Sequence, residues 1–165
     1  MIPLVSGPSS GLYADVARYG TMWRNEREVG VFWDDPRDVF YVVLRFVSLE
    51  DVNPESVRIQ YWQRNWPRHR IPKGKRPGTG RVGWMPLDDW WNGEWKDADT
   101  DLEVDGSSLI FSFRPINLKE FPEIEDFDAK FRRTLKVRAL LEEGYGSRIS
   151  RLEAYTDSVW KEERV

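Results

Sequence analysis

Tryptophan has the most unusual placement of any residue type in this chain. Nine are present, and six of them, Trp62, Trp66, Trp84, Trp90, Trp91 and Trp95, fall in one short stretch. An indole offers a flat π face and one N–H donor at little cost in conformational entropy. Sugar rings present flat C–H faces, so tryptophan beside a few polar groups suits glycan recognition. Trp66, Trp90 and Trp91 stand among Asn65, Asp88, Asp89 and Asn92, which makes them the stacking candidates. Arg64, Asn65, His69 and Arg70 are the candidate polar contacts, and Trp62 is a further ligand candidate at the edge of the stretch. The plain alternative is that the tryptophans fill the core and the ends of loops. Trp33, Trp95 and Trp160 read that way.

Charge is segregated over the same region. Residues 64–81 hold seven basic side chains (Arg64, Arg68, Arg70, Lys73, Lys75, Arg76 and Arg81) and no acid. Residues 88–105 hold eight acids against the single Lys96. A basic loop beside Trp66 suits the carboxylates or sulfates of an anionic polysaccharide, through charge-assisted arginine contacts. Otherwise the two blocks solvate each other as neighbouring loops and contribute little. Asp88, Asp89, Glu94 and Asp97 also supply the paired carboxylates that glycoside hydrolysis requires, although acids are common enough here to lie near aromatics by chance. His69, the one histidine, is flanked by Arg68 and Arg70 and reads as a ligand or surface residue rather than a base.

Composition bounds these readings. With 165 residues the chain suits one domain with a core of its own. A net charge of −3 excludes a polybasic nucleic-acid binder. The absence of cysteine excludes disulfides, thiolate zinc sites and cysteine nucleophiles. No apolar run is long enough for a membrane-spanning helix. Residues 1–20 read as a linker or lead-in, residues 21–160 as the domain and residues 161–165 as a charged tail. The opening MIPLVSGPSSG suggests a domain excised from a longer chain.

The elements that must position these residues are strands. Val39–Val47 is apolar on both faces until Arg45, as expected of an inner strand. Val29–Trp33 reads as a strand ending at Asp34-Asp35-Pro36. Ser56–Trp62, Ser108–Arg114, Thr134–Leu141 and Arg148–Thr156 alternate with period two. In Thr134–Leu141 the apolar Leu135, Val137, Ala139 and Leu141 oppose Lys136 and Arg138. Asp105-Gly106 marks a hairpin turn. Residues 63–100 carry so many prolines and glycines that they read as a long, ordered functional loop. Six or more strands and no helix predict an all-β, jelly-roll-like antiparallel sandwich.

The order SVRIQYW, WNGEWKDAD, SLIFSF and TLKVRALLEEGYGSRISRLEAY resembles the galactose-binding-like β-sandwiches, which include discoidin (coagulation-factor type C) domains and family 32 carbohydrate-binding modules. The pair Tyr61-Trp62 and the later Gly93-Glu94-Trp95 match that family's strand and Gly-x-Trp segments. Thr21-Met22-Trp23 is the nearest trace of its early Thr-x-Trp. The resemblance covers roughly residues 29–156. It implies a secreted or cell-surface setting and a structural calcium. Arg151 stands where the family often has a calcium-holding Glu, leaving Asp15 and Glu153 as weak candidate ligands, so the expectation is no metal and no other cofactor. Together these readings predict a non-catalytic carbohydrate-binding module attached to a glycan-degrading enzyme, with polysaccharide as partner and no nucleic acid or membrane span. The alternatives are an interaction domain packed on a neighbour, and a small glycoside hydrolase or lyase.

Overall fold

A computed structural model describes residues 13–64, 91–115, 130–142 and 144–157. Ten strands form in chain order: β1 (Tyr13–Asp15), β2 (Thr21–Asn25), β3 (Glu28–Val39), β4 (Tyr41–Phe46), β5 (Val57–Arg64), β6 (Gly93–Asp97), β7 (Thr100–Asp105), β8 (Ser108–Phe113), β9 (Arg132–Leu141) and β10 (Ile149–Asp157). They make two five-stranded sheets, ordered β1-β10-β4-β8-β7 and β2-β3-β9-β5-β6, and every pairing is antiparallel. The fold is therefore the expected all-β sandwich. No helix among the described residues is long and apolar enough to cross a membrane.

Period-two alternation builds the core. Val42, Leu44 and Phe46 of β4 and Leu109, Phe111 and Phe113 of β8 meet Val29 and Val31 of β3, Ile59 and Tyr61 of β5, and Val137 and Ala139 of β9. As expected for an inner strand, β4 lies in the middle of its sheet, and Val43 on its other face is buried too. The Asp105-Gly106 turn joins β7 to β8, with Gly106 at φ +62°, where glycine carries no Cβ penalty.

Four expectations need correction. The first concerns β3, which does not end at Asp34-Asp35-Pro36. Its pairing with β9 slips between Phe32 and Arg37 and then resumes to Val39. In that bulge the ladder is locally open, so Pro36 costs no sheet hydrogen bond. The second concerns Val39–Val47, which is not one strand. The chain changes sheets at Phe40, whose N–H donates to the Tyr155 carbonyl at 2.8 Å. Apolar residues on both sides of this corner hide it from a period-two reading.

Third, part of the expected lead-in belongs to the sandwich. β1 pairs with β10, and Val16 and Ala17 are buried in the core. Asp15 Oδ1 fixes this turn by accepting from the N–H of Ala17 at 2.9 Å and of Ala154 at 3.1 Å. Fourth, residues 63–100 are not loop throughout. They contain the end of β5, all of β6 and the start of β7. Gly93 opens β6 because the strands close tightly there, and a Cβ would lie 2.3 Å from the Gln63 carbonyl oxygen.

Candidate functional site

Strand register assembles a layer of aromatic rings and cations on the outer face of the β2-β3-β9-β5-β6 sheet. Alternation in β9 turns Lys136 and Arg138 outward, opposite the buried Leu135, Val137 and Ala139. Across the ladder to β3, Lys136 stands opposite Phe32 and Arg138 opposite Gly30. On the other side Arg138 stands opposite Gln60. The edge pair β5-β6 sets Trp62 opposite Trp95 and Gln60 opposite Asp97. The edge pair β2-β3 sets Trp23 opposite Gly30.

The rings then close over the strands between them. Trp23 lies directly on Gly30, where a Cβ would come within 2.3 Å of its Cζ2 atom. Glycine is the residue that lets this indole approach β3 so closely. Trp23 reaches Trp95 at 6.3 Å between ring centroids, Trp95 reaches Trp62 at 5.5 Å, and Phe32 lies 6.3 Å from Trp23. All four side chains are half-buried, neither core nor fully solvated.

Two cations fill the spaces. The Arg138 guanidinium lies 4.1 Å from the Trp95 ring centroid, and the Lys136 ammonium lies 3.9 Å from Trp62 and 5.3 Å from Trp95. Such contacts hold a cation on an indole face while stripping part of its hydration. Arg138 is held by Gln60 at 2.8 Å and Glu28 at 3.2 Å. Glu28 also accepts the Trp23 indole N–H at 2.8 Å, and Gln60 donates to Asp97 at 2.8 Å. Lys136 has no acidic partner among the described residues. Burial, followed by the neighbouring Arg138 charge, brings its pKa below the ordinary lysine value.

One hydroxyl anchors Trp62. Between β5 and β9 the ladder runs as far as Tyr61 opposite Val137. There the Thr134 hydroxyl takes over, accepting from the Trp62 N–H at 2.9 Å and lying 2.6 Å from the Trp62 carbonyl oxygen, to which it donates. Thr134→Val removes the hydroxyl and leaves the Trp62 N–H and carbonyl without it, while keeping the shape. We expect a loss of about 1–3 kcal/mol, as for a buried polar group left unsatisfied, read from urea denaturation. An unchanged midpoint would show that the hydroxyl is not the anchor.

The predicted site residues separate as follows. Trp62 joins the aromatic layer, Arg64 ends β5 opposite Gly93, and Trp91 lies two residues before Gly93 and is 63% exposed. These three converge on one end of the β5-β6 edge. Trp66, Trp90, Asn65, His69 and Arg70 lie outside the described residues, as do Asp88, Asp89 and Trp160. Trp33 is core, as expected, at 1% exposure. Trp95 is not a core residue; pairing with β5 carries it onto the outer face. Of the acidic block, Asp97 meets Arg58 at 3.2 Å, while Asp99 and Asp101 meet Arg114 at 3.2 and 2.7 Å. Glu94 meets Lys96 at 3.1 Å. Trp23, Lys136 and Arg138 were missed as site residues. For Lys136 and Arg138 the signal was the outward alternation of β9, which reads equally well as a solvated face.

The other sheet carries the residues considered for calcium, and they do not fit it. Glu153 is 2% exposed, and its Oε2 meets Arg45 and Arg151 at 2.9 Å each. Its Oε1 accepts the Tyr155 hydroxyl at 2.7 Å. Two guanidinium groups already neutralise this carboxylate, and a dication beside them would be repelled. Burial pushes the Glu153 pKa up, but the Arg45 and Tyr155 hydrogen bonds and the two arginine charges hold it below the ordinary value. Asp15 is raised by burial, and its Oδ1 serves two backbone N–H groups. No group of three or more metal-ligating side chains occurs among the described residues.

Two tyrosines on this face give a pH prediction. Burial first, then hydrogen bonding and neighbouring charge, pushes Tyr41 and Tyr155 up to about 12. In the unfolded chain they ionise near 10, so between pH 10 and 12 the unfolded state loses these protons first. Stability present below pH 10 is expected to fall as pH rises through that window. Denaturant titration across the window, with tyrosinate absorbance, reads it. All six tyrosines ionising together near 10 in the folded protein would overturn the prediction.

A comparison with known proteins gives no match to any family model and no match to a curated protein.

Proposed function

We propose that this domain is a non-catalytic carbohydrate-binding module, with the outer face of the β2-β3-β9-β5-β6 sheet as its ligand surface. The observation that carries the reading is the run of Trp62, Trp95 and Trp23, with neighbouring rings 5.5 and 6.3 Å apart. Rigid indoles supply apolar area for pyranose C–H faces, while Gln60, Glu28, Asp97 and Arg138, held by one another, offer donors and acceptors for hydroxyls. The rings are not coplanar, Trp95 meeting Trp62 at 79° and Trp23 at 60°, so they suit a row of separate contacts along several sugar units rather than one terminal sugar. The resemblance to family 32 carbohydrate-binding modules supports the same class and suggests a secreted or cell-surface accessory domain. In that role the module would raise the effective concentration of an attached catalytic domain at its polymer.

Native affinity electrophoresis through gels containing soluble polysaccharides tests the reading. Retardation by at least one polysaccharide, with a change in tryptophan fluorescence on binding, is expected. Unaltered mobility on every gel overturns it. A second reading, a packing surface for a neighbouring domain or subunit, is favoured by the exposure of Trp91. Concentration-dependent dimerisation that Trp91→Ala abolishes, without any glycan retardation, would support that instead.

A further inference from the structure

Among the described residues, the platform carries one charge that no acid on it balances. Glu28 is shared between Arg138 and Trp23, and Asp97 between Arg58 and Gln60. Arg138 has Glu28 at 3.2 Å. Lys136 is different: it is half-buried, lies against Trp62 and Trp95, and meets no acid among the described residues. A partly desolvated ammonium without a counter-charge binds an incoming anion more strongly than a hydrated surface lysine does.

We infer that the glycan bound by this face is acidic, and that Lys136 is the residue that holds its carboxylate or sulfate. The inference rests on the glycan-binding reading above. It follows from a competition on the indole surface. The Lys136 ammonium occupies part of the Trp62 and Trp95 faces, so a neutral sugar stacking there must share the rings with a cation or displace it. An acidic sugar instead recruits that cation, because the ring stacks while its charged substituent pairs with the ammonium. The lowered Lys136 pKa agrees with a charge still lacking its partner.

Calorimetric titration of the intact protein with dextran, dextran sulfate and polygalacturonate tests this, with an oligothymidylate as control. Wild-type protein is expected to bind one acidic polymer about tenfold or more tighter than dextran. The choice between sulfate and carboxylate is read from the two acidic polymers. Lys136→Met, which keeps the aliphatic stem, is expected to remove about tenfold of that affinity while dextran binding, freed of competition from the ammonium on the rings, is not weakened. Lys136→Gln serves as the second variant if the first fails to give a native near-UV spectrum. Dextran binding as tight as acidic-polymer binding, or a Lys136→Met variant with undiminished acidic affinity, overturns the inference and leaves the glycan-binding reading standing. Binding of none of the polysaccharides removes the inference, and the function falls with it if gels made with other glycans also give no retardation. Oligothymidylate binding tighter than any polysaccharide reassigns the surface to nucleic acid and overturns both.

Discussion

Trp33→Ala is expected to cost about 3–5 kcal/mol, the range for removing a large aromatic side chain from a packed core. That is a large share of the roughly 5–15 kcal/mol by which a domain of this kind is stable. Trp33 is 1% exposed, the largest fully buried side chain in the described structure. It sits at the start of the β3 bulge, where the ladder to β9 is broken. Its indole N–H donates to the Val16 carbonyl at 2.8 Å, tying β3 to the turn after β1. The alanine variant therefore leaves a cavity at a point that backbone pairing does not brace. Trp33→Phe separates the contributions. It keeps most of the apolar volume and loses one hydrogen bond, while the Val16 carbonyl still accepts from the Tyr19 N–H at 3.0 Å. A loss of about 1 kcal/mol is expected for that variant. Urea denaturation of both variants is the measurement. Equal losses would mean that the hydrogen bond, and not the packing, sets the effect.

The strands that were legible in the sequence are those with one dry and one wet face. Val57, Ile59 and Tyr61 alternate with Arg58 and Gln60, and β5 forms with that register. Leu135 to Leu141 behave in the same way in β9. Alternation fails where the chain changes sheets, because a residue such as Phe40 is apolar on either side of the corner. It fails also at β3, where a bulge admits the Asp-Asp-Pro signal of a turn without ending the strand. Short β1 was invisible for another reason. Three residues cannot establish a period, and what holds them is the register with β10 and the Asp15 side chain.

The candidate site was legible only as a composition. Tryptophan density pointed to the loop residues Trp66, Trp90 and Trp91, whereas the rings that gather on the sheet face from that stretch are Trp62 and Trp95, and Trp95 had read as structural. The site's other members come from β2 and β9, brought alongside by non-local pairing that one sequence does not encode in any local pattern. Trp23 stood apart from the cluster, and Lys136 and Arg138 looked like an ordinary solvated face. Gly30 carried a usable clue in retrospect, since a glycine inside a strand often marks the close approach of another group. Here that group is the Trp23 ring.

Trp95 is where the platform is most exposed to test, because it touches both neighbouring indoles and both cations. Trp95→Ala is expected to weaken polysaccharide binding by about 2 kcal/mol, or about 30-fold, the size of effect that marks a central aromatic in an interface. The fold should survive, since β6 is an edge strand and Trp95 is not in the core. Far-UV circular dichroism and a urea midpoint close to wild type confirm that. Trp91→Ala is the counterpart, because Trp91 is the exposed loop candidate at the same end of the β5-β6 edge. A platform site predicts a large loss for Trp95→Ala and a small one for Trp91→Ala. The reverse pattern moves the ligand off the sheet and onto the loops beside Arg64, and the platform then serves as a cover for the sheet. Equal large losses place the polymer along both, running off the end of β5 and across the rings.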